Sequence, residues 1–83
     1  MTDKAKLLKR IVINPQIMVG KPTIAGTRLT VQHILGLLAQ GMTTPEILHE
    51  YKGLTAEDIQ ACLFFATEAL ESTVFAPLMN TER

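Results

Sequence analysis

The distribution of apolar side chains over the second half of the chain predicts three helices. Apolar residues there recur three or four positions apart, which places them on one face of a helix. Each run follows a residue type that favours a helix start: Thr30, Thr43 and Thr55 respectively. Gly41 and Gly53 stand where the first two runs end, and glycine commonly ends a helix. The pattern therefore predicts a first helix, a short second helix and a longer third one.

The predicted third helix has the widest apolar face. Phe65 and Ala69 widen its stripe, whereas Phe64 lies on the other side among polar residues. The predicted buried positions are Val31, Ile34, Leu35 and Leu38 in the first helix, Ile47, Leu48 and Tyr51 in the second, and Ile59, Cys62, Leu63, Ala66 and Leu70 in the third.

Before the helices, the chain predicts short extended pieces. The β-branched run 11–13 ends at Asn14-Pro15 and predicts a strand. A stiff loop or small hairpin over 20–31 follows, since Gly20 and Gly26 accept positive φ without steric cost. This loop is predicted to display two basic side chains beside the helices. The candidate residues of this loop for binding a protein partner or DNA are Lys21, Pro22, Gly26, Thr27 and Arg28.

These elements predict a mainly α fold, a three-helix helix-turn-helix domain preceded by short N-terminal β strands or a hairpin. So few strand residues make a weak sheet within one chain, so we expect them to pair across a dimer. The expected organisation is a flexible basic segment over 1–9, one domain over 10–73, and a tail over 74–83 that is first apolar and then polar.

Composition supports a partner for this domain. The chain has 83 residues, of which 47% are hydrophobic and 19% charged. A monomer of this size buries only about 60% of the surface that its unfolded chain exposes. Surplus apolar side chains therefore predict a homodimer or another protein partner.

Charge is segregated along the chain although the formal net charge is zero. Residues 1–28 carry six basic side chains and one acidic one, whereas residues 29–83 carry two basic and seven acidic ones. This polarity favours either head-to-tail docking or a basic arm that contacts phosphate. A segregated but merely solvated surface is the alternative. The candidate arm residues are Lys4, Lys6, Lys9 and Arg10.

No motif predicts catalysis, a cofactor or a metal. The single cysteine, Cys62, excludes an intramolecular disulfide and a cysteine-based zinc site, and its place in an apolar stripe is typical of a core residue. His49-Glu50 begins like a zinc-protease helix, but Gly53 stands where the second histidine is needed. His33 is expected to be an ordinary surface histidine. We expect a non-enzymatic protein.

The sequence also lacks the signals of membrane insertion or export. No stretch approaches the roughly 20 apolar residues of a membrane span, and the first residues have no apolar core of signal-peptide length. We expect a cytoplasmic protein without membrane contacts.

The segment Gly20-Lys21-Pro22-Thr23-Ile24-Ala25-Gly26-Thr27-Arg28-Leu29 resembles the hallmark of the bacterial domain of unknown function family 433. Flanking pieces match in order over residues 10–70. Members are similar to homeodomain-like helix-turn-helix domains and are described as antitoxin-like. They are often encoded beside a small PIN-type ribonuclease. The resemblance implies a module that binds and restrains such a ribonuclease, with possible autoregulation at the promoter.

DNA binding is the alternative, and the helices oppose it. The predicted third helix carries Glu57, Asp58, Glu68 and Glu71 but no Lys or Arg over 56–71, so phosphates would repel it. A transcriptional regulator of this sequence would therefore bind promoter DNA through its basic N-terminal arm. A separate apolar surface is expected to cover a second subunit or a protein partner. Its candidate residues are Phe64, Phe75, Leu78 and Met79.

Overall fold

The structure, a computed structural model, describes residues 4–71 and contains four α-helices and a two-stranded sheet. The elements are α1 (Lys4–Leu8), β1 (Ile11–Ile13), β2 (Pro22–Ile24), α2 (Val31–Ala39), α3 (Thr44–Glu50) and α4 (Ala56–Glu71). A 3₁₀ turn over Met18–Gly20 lies between the strands. The predicted mainly helical fold with a preceding hairpin is confirmed, while the helix-turn-helix arrangement of homeodomain type stays a prediction.

The three predicted helix starts are confirmed, and each is fixed by a local side-chain cap. The Thr30 hydroxyl accepts a hydrogen bond from the backbone N–H of His33 at 3.0 Å. Thr43 forms a reciprocal capping box with Glu46. Thr55 does the same with Asp58, whose Oδ2 accepts the Thr55 N–H at 3.0 Å. These caps satisfy backbone donors that a helix leaves unpaired in its first turn.

The two strands pair with each other within the chain, whereas the sequence predicts a sheet too weak to form without a second copy. β1 and β2 are antiparallel, with Ile11 opposite Ile24 and Ile13 opposite Pro22. Packing against helices substitutes for additional strands. Ile24 is 1% exposed and contacts the apolar core, and its N–H donates to the carbonyl of Leu29 at 2.9 Å.

The core lies where β2 meets α2, α3 and α4. Its buried side chains are Ile24, Val31, Ile34, Ile47, Leu54, Ile59 and Cys62. Two residues assigned to the buried stripe of the third helix are exposed instead, Leu63 by 48% and Leu70 by 57%. Leu63 lies beside Leu7 of α1, away from this core, and Leu70 lies in the last turn of α4, where the neighbouring side chains of α2 do not cover it.

Residues 4–8, which the sequence analysis assigns to a flexible segment, form α1 and pack on α4. Leu7 is 8% exposed. The Lys4 ammonium lies 2.8 Å from a Glu68 carboxylate oxygen and 5.2 Å from the centre of the Phe64 ring. The contacts that hold α1 are all distant in sequence, which is why no local pattern indicates this helix. The remaining terminal residues, including the predicted tail over 74–83, lie outside the described residues.

We expect Ile34→Ala to reduce the free energy of unfolding by about 2–5 kcal/mol, because it removes methylene groups from a fully buried site and leaves a cavity. Urea unfolding followed by circular dichroism measures this loss. Leu63→Ala is the control and should change stability by less than about 0.5 kcal/mol, since Leu63 is half exposed. Equal losses in the two variants would contradict this assignment of the core.

Candidate functional site

The loop that leads from β2 to α2 is shaped by Gly26 and Thr27. Gly26 has a φ of +82°, a conformation that side chains with a Cβ rarely adopt. The Thr27 hydroxyl donates to the Ile24 carbonyl at 2.8 Å and accepts the Leu29 N–H at 3.0 Å. Both residues therefore shape the turn, and the Thr27 hydroxyl is used within the loop itself.

Lys21 and Arg28 are exposed on either side of β2, in the segment 20–28 that we call the Lys21 loop: Lys21 immediately precedes β2, and Arg28 lies in the loop that follows it. Pro22 belongs to β2 and is half-buried. The backbone before Lys21 is tightly folded, since the Lys21 N–H donates to the Met18 carbonyl at 3.1 Å. Met18 and Val19 have φ values of +50° and +56°. A β-branched residue such as Val19 is strained in this conformation. The loop thus carries two cations on a constrained backbone.

An apolar groove of about 420 Å³ begins at Pro22 and runs between α2 and α4. Gln32 is the one polar residue among its lining side chains. Leu70 forms an exposed part of the wall, and the half-buried Phe65 and Leu35 form deeper parts. The complete lining is Pro22, Val31, Gln32, Leu35, Phe65, Ala66, Ala69 and Leu70.

The sequence pattern does not predict this groove, because Ala66 and Leu70 fall on a helix face that is expected to be covered. The pattern indicates that α4 has an apolar side, but it does not show that α2 leaves part of that side open. The groove places an apolar surface directly beside the Lys21 loop, since Lys21 immediately precedes Pro22.

Two of the four residues predicted to contact phosphate, Lys4 and Arg10, form ion pairs with acidic residues of the chain itself. Lys4 pairs with Glu68, and this hydrogen bond raises the pKa of Lys4 above its ordinary value. The Arg10 guanidinium lies 3.1 Å from Oδ1 of Asp58. Lys6 and Lys9 are exposed.

Phe64 lies on a different side of α4 from the groove. It is half-buried and lines a hollow of about 370 Å³ with Leu7, Leu63 and two polar neighbours. The other residues proposed for this apolar surface, Phe75, Leu78 and Met79, lie outside the described residues. The structure therefore separates Phe64 from the groove and does not bring the predicted surface together.

The two histidines lie at different places in the fold. His33 Nε2 lies 3.0 Å from the Tyr51 hydroxyl, and their rings meet edge to face, which links α2 to the end of α3. His49 lies on the exposed side of α3 beside Glu46 and Glu50.

Within residues 4–71 there is no cluster of three or more His, Cys, Asp or Glu side chains suited to a metal ion. None of the helices in that range is long and apolar enough to cross a membrane.

Comparisons with known proteins point to one family. The family model described as "Protein of unknown function (DUF433)" matches residues 11–66, which include the hairpin, the Lys21 loop and α4 as far as Ala66. Among solved structures, the chain is similar to the crystal structure of a DUF433 member protein from Anabaena variabilis ATCC 29413. The TM-score is 0.72 at 32% sequence identity, over 82% of this chain and 67% of that chain. No curated protein matches the chain.

The burial of Cys62 makes the free energy of unfolding depend on pH in the alkaline range. Desolvation, with a smaller contribution from the charge of Asp58, raises the pKa of the Cys62 thiol from 9.0 to about 11. Above pH 9 the unfolded chain loses this proton while the folded protein keeps it. We expect the contribution of Cys62 to the free energy of unfolding to be constant below pH 9. Between pH 9 and 11 it should fall by up to about 1.4 kcal/mol per pH unit.

Urea unfolding of the wild type and of Cys62→Ala at pH 8, 9, 10 and 11 measures this dependence. Other groups titrate in the same range in both proteins, so the difference between the two curves isolates the thiol. The wild type should lose its advantage over Cys62→Ala as the pH rises. A difference that stays constant across the series would contradict the prediction.

Proposed function

The chain belongs to the DUF433 family, and from the surface it presents we propose that it is a non-enzymatic, antitoxin-like binding module. Its proposed partner is a small PIN-type ribonuclease, which it restrains by covering the surface that RNA must reach. The proposed module is a homodimer and acts in the cytoplasm. The groove between β2, α2 and α4 is the single observation that carries this proposal.

An apolar groove of this kind suits a protein partner. Burial of apolar side chains is the main favourable term in protein association. The groove offers Leu35, Phe65 and Leu70 to such side chains, with little polar surface to desolvate. Interfaces derive most of their affinity from a few anchors in desolvated pockets. One or two apolar side chains of the ribonuclease are proposed to occupy it.

The Lys21 loop adds charge at the end of the groove. Lys21 precedes the groove residue Pro22, and Arg28 lies at the other end of the turn. A guanidinium or ammonium group pairs with carboxylates, and Arg does so through a planar fork. We propose that these cations face the acidic active site of the ribonuclease while the groove supplies the affinity.

DNA binding through the N-terminal arm has less support. Lys4 and Arg10 are paired with Glu68 and Asp58, so two of the four arm cations already have an acidic partner. Lys6 and Lys9 alone would contact few phosphates, and each phosphate contact adds to affinity. Autoregulation at a promoter remains the alternative function, and it predicts a steep loss of affinity as the salt concentration rises.

The proposed association is tested by a tagged pull-down from the native cell, followed by purification of any ribonuclease recovered near one-to-one. RNA cleavage by that enzyme is then measured as the chain is added. We expect cleavage to fall to a low residual level at saturation, because the active site is covered. Undiminished cleavage in the presence of a saturated complex would refute the antitoxin-like role.

We expect Leu70→Ser to weaken the complex by roughly ten- to a hundredfold, since it removes one apolar side chain from the groove wall. Isothermal titration calorimetry at two salt concentrations gives both the affinity and its salt dependence. Leu63→Ser is the matched control: it removes a similarly exposed leucine from the same helix, outside the groove, and should leave the affinity within about twofold. Equal losses would exclude the groove as the binding surface.

Charge reversal separates the role of the loop from that of the groove. Lys21→Glu should weaken the complex by about tenfold at low salt and by less at high salt, because screening removes long-range attraction to the acidic site. Lys52→Glu reverses an exposed lysine after α3 and serves as the control. If both variants bind like the wild type, the acidic site is not what the loop contacts.

A further inference from the structure

The sheet has one open edge, the outer side of β1. The two strands lie in the order β1-β2, and no other element of residues 4–71 pairs with β1. The far side of β2 is closed, because the Ile24 N–H donates to the Leu29 carbonyl and Thr23 forms an isolated bridge with Thr30. Any strand that joins this sheet must therefore add to β1.

The hydrogen-bond pattern fixes which groups face this edge. The Ala25 N–H donates to the Arg10 carbonyl at 2.7 Å, so residues 10 and 25 form a hydrogen-bonded pair. Antiparallel pairs alternate, and Val12 opposite Thr23 is therefore the next hydrogen-bonded pair. The N–H and C=O groups of Ile11 and Ile13 consequently point away from β2. Pro22, opposite Ile13, has no N–H, and this pair does not need one because it is not hydrogen-bonded.

Within its three residues β1 contains no lysine, proline or bulge, which are features that protect open strands in other proteins. Val12 is 38% and Ile13 62% exposed. The same hairpin also exposes Met18 by 42% and Val19 by 91%. An unpaired edge with exposed apolar side chains favours pairing with another strand.

We propose that this edge pairs with β1 of a second copy across a two-fold axis through Val12. The inference specifies the surface of the homodimer included in the proposed function and rests on that part of it. The two-stranded sheets of both copies then join into one four-stranded antiparallel sheet. Ile11 lies opposite Ile13 of the other copy, and their outward N–H and C=O groups hydrogen-bond in both directions.

The strand itself selects this partner and this register. Its outward residues, Ile11 and Ile13, are placed symmetrically about Val12, so two copies satisfy each other's groups without any other sequence. A shift that sets Ile13 opposite itself would bring Ile11 to Pro15, which has no N–H to donate. In the proposed register Arg10 lies opposite Asn14, and no like charges face each other.

Cross-linking tests the register directly. In this arrangement the two Val12 residues form a non-hydrogen-bonded pair, with Cβ atoms about 4.5–5.5 Å apart. This is close to the separation that a disulfide needs. We expect mild oxidation of Val12→Cys to convert most of the protein into a covalent dimer. Val19→Cys, more exposed but away from the axis, should cross-link at least tenfold more slowly, and Cys62 is buried in both variants. Equal cross-linking rates would overturn the proposal.

Sedimentation tests whether the β1 edge forms the dimer, without introducing a cysteine. Ile13→Pro removes an outward N–H and leaves the pairing of β1 with β2 in place, since that donor is not used there. We expect its dimer dissociation constant to rise at least tenfold over the wild type, with unchanged helix content by circular dichroism. Leu70→Ser changes the groove instead and should sediment like the wild type.

Three sedimentation results would overturn the proposal: a wild type that is monomeric at concentrations on the order of 100 μM, a dimer that survives Ile13→Pro, or a dimer that is lost in Leu70→Ser alone. The last would place the dimer at the groove. None of these results bears on the ribonuclease assay, which measures inhibition of RNA cleavage, so failure of the edge and failure of the proposed partner are distinguishable.

Discussion

A single carboxylate, that of Asp58, ties the hairpin to the longest helix. Its Oδ2 accepts the Thr55 N–H and fixes the start of α4, while its Oδ1 binds the Arg10 guanidinium immediately before β1. The Asp58 side chain is only 10% exposed, and a nearly buried charge is tolerated when it is paired and hydrogen-bonded. The Arg10 carbonyl in turn accepts the Ala25 N–H after β2. This link fixes the hairpin, which includes the groove residue Pro22, against the start of α4.

Part of the charge segregated along the chain is paired within the fold. Lys4–Glu68 and Arg10–Asp58 both join the basic N-terminal part to the acidic helix α4. Exposed pairs such as Lys4–Glu68 contribute little to stability, because solvent screens them. They still reduce the positive potential that a nucleic acid would meet. Part of the charge pattern therefore reflects how α1 and the hairpin dock on α4, while Lys21 and Arg28 stay exposed.

Local signals in the sequence predict those parts of the fold that depend on neighbouring residues. Thr30, Thr43 and Thr55 each cap a helix through residues three positions away, so the helix starts follow from the sequence. Helix α1 and the pairing of β1 with β2 depend on contacts with residues far along the chain. The exposure of Leu70 depends on how α2 packs beside the last turns of α4. The Lys21 loop could thus be predicted, but the groove beside it could not.

The groove and the open edge of β1 use different parts of the molecule. No groove-lining residue belongs to β1, and the edge lies on the far side of β1 from β2, which contributes Pro22 to the groove. Pairing through β1 therefore leaves the groove of each copy accessible. A dimer formed in this way carries two grooves, one in each copy, and the shared four-stranded sheet joins the two copies. If the partner is itself dimeric, the second contact becomes intramolecular, and modest affinity at each groove is sufficient for a stable complex. A small domain cannot provide a large interface by itself, and it gains affinity in this way by forming a dimer.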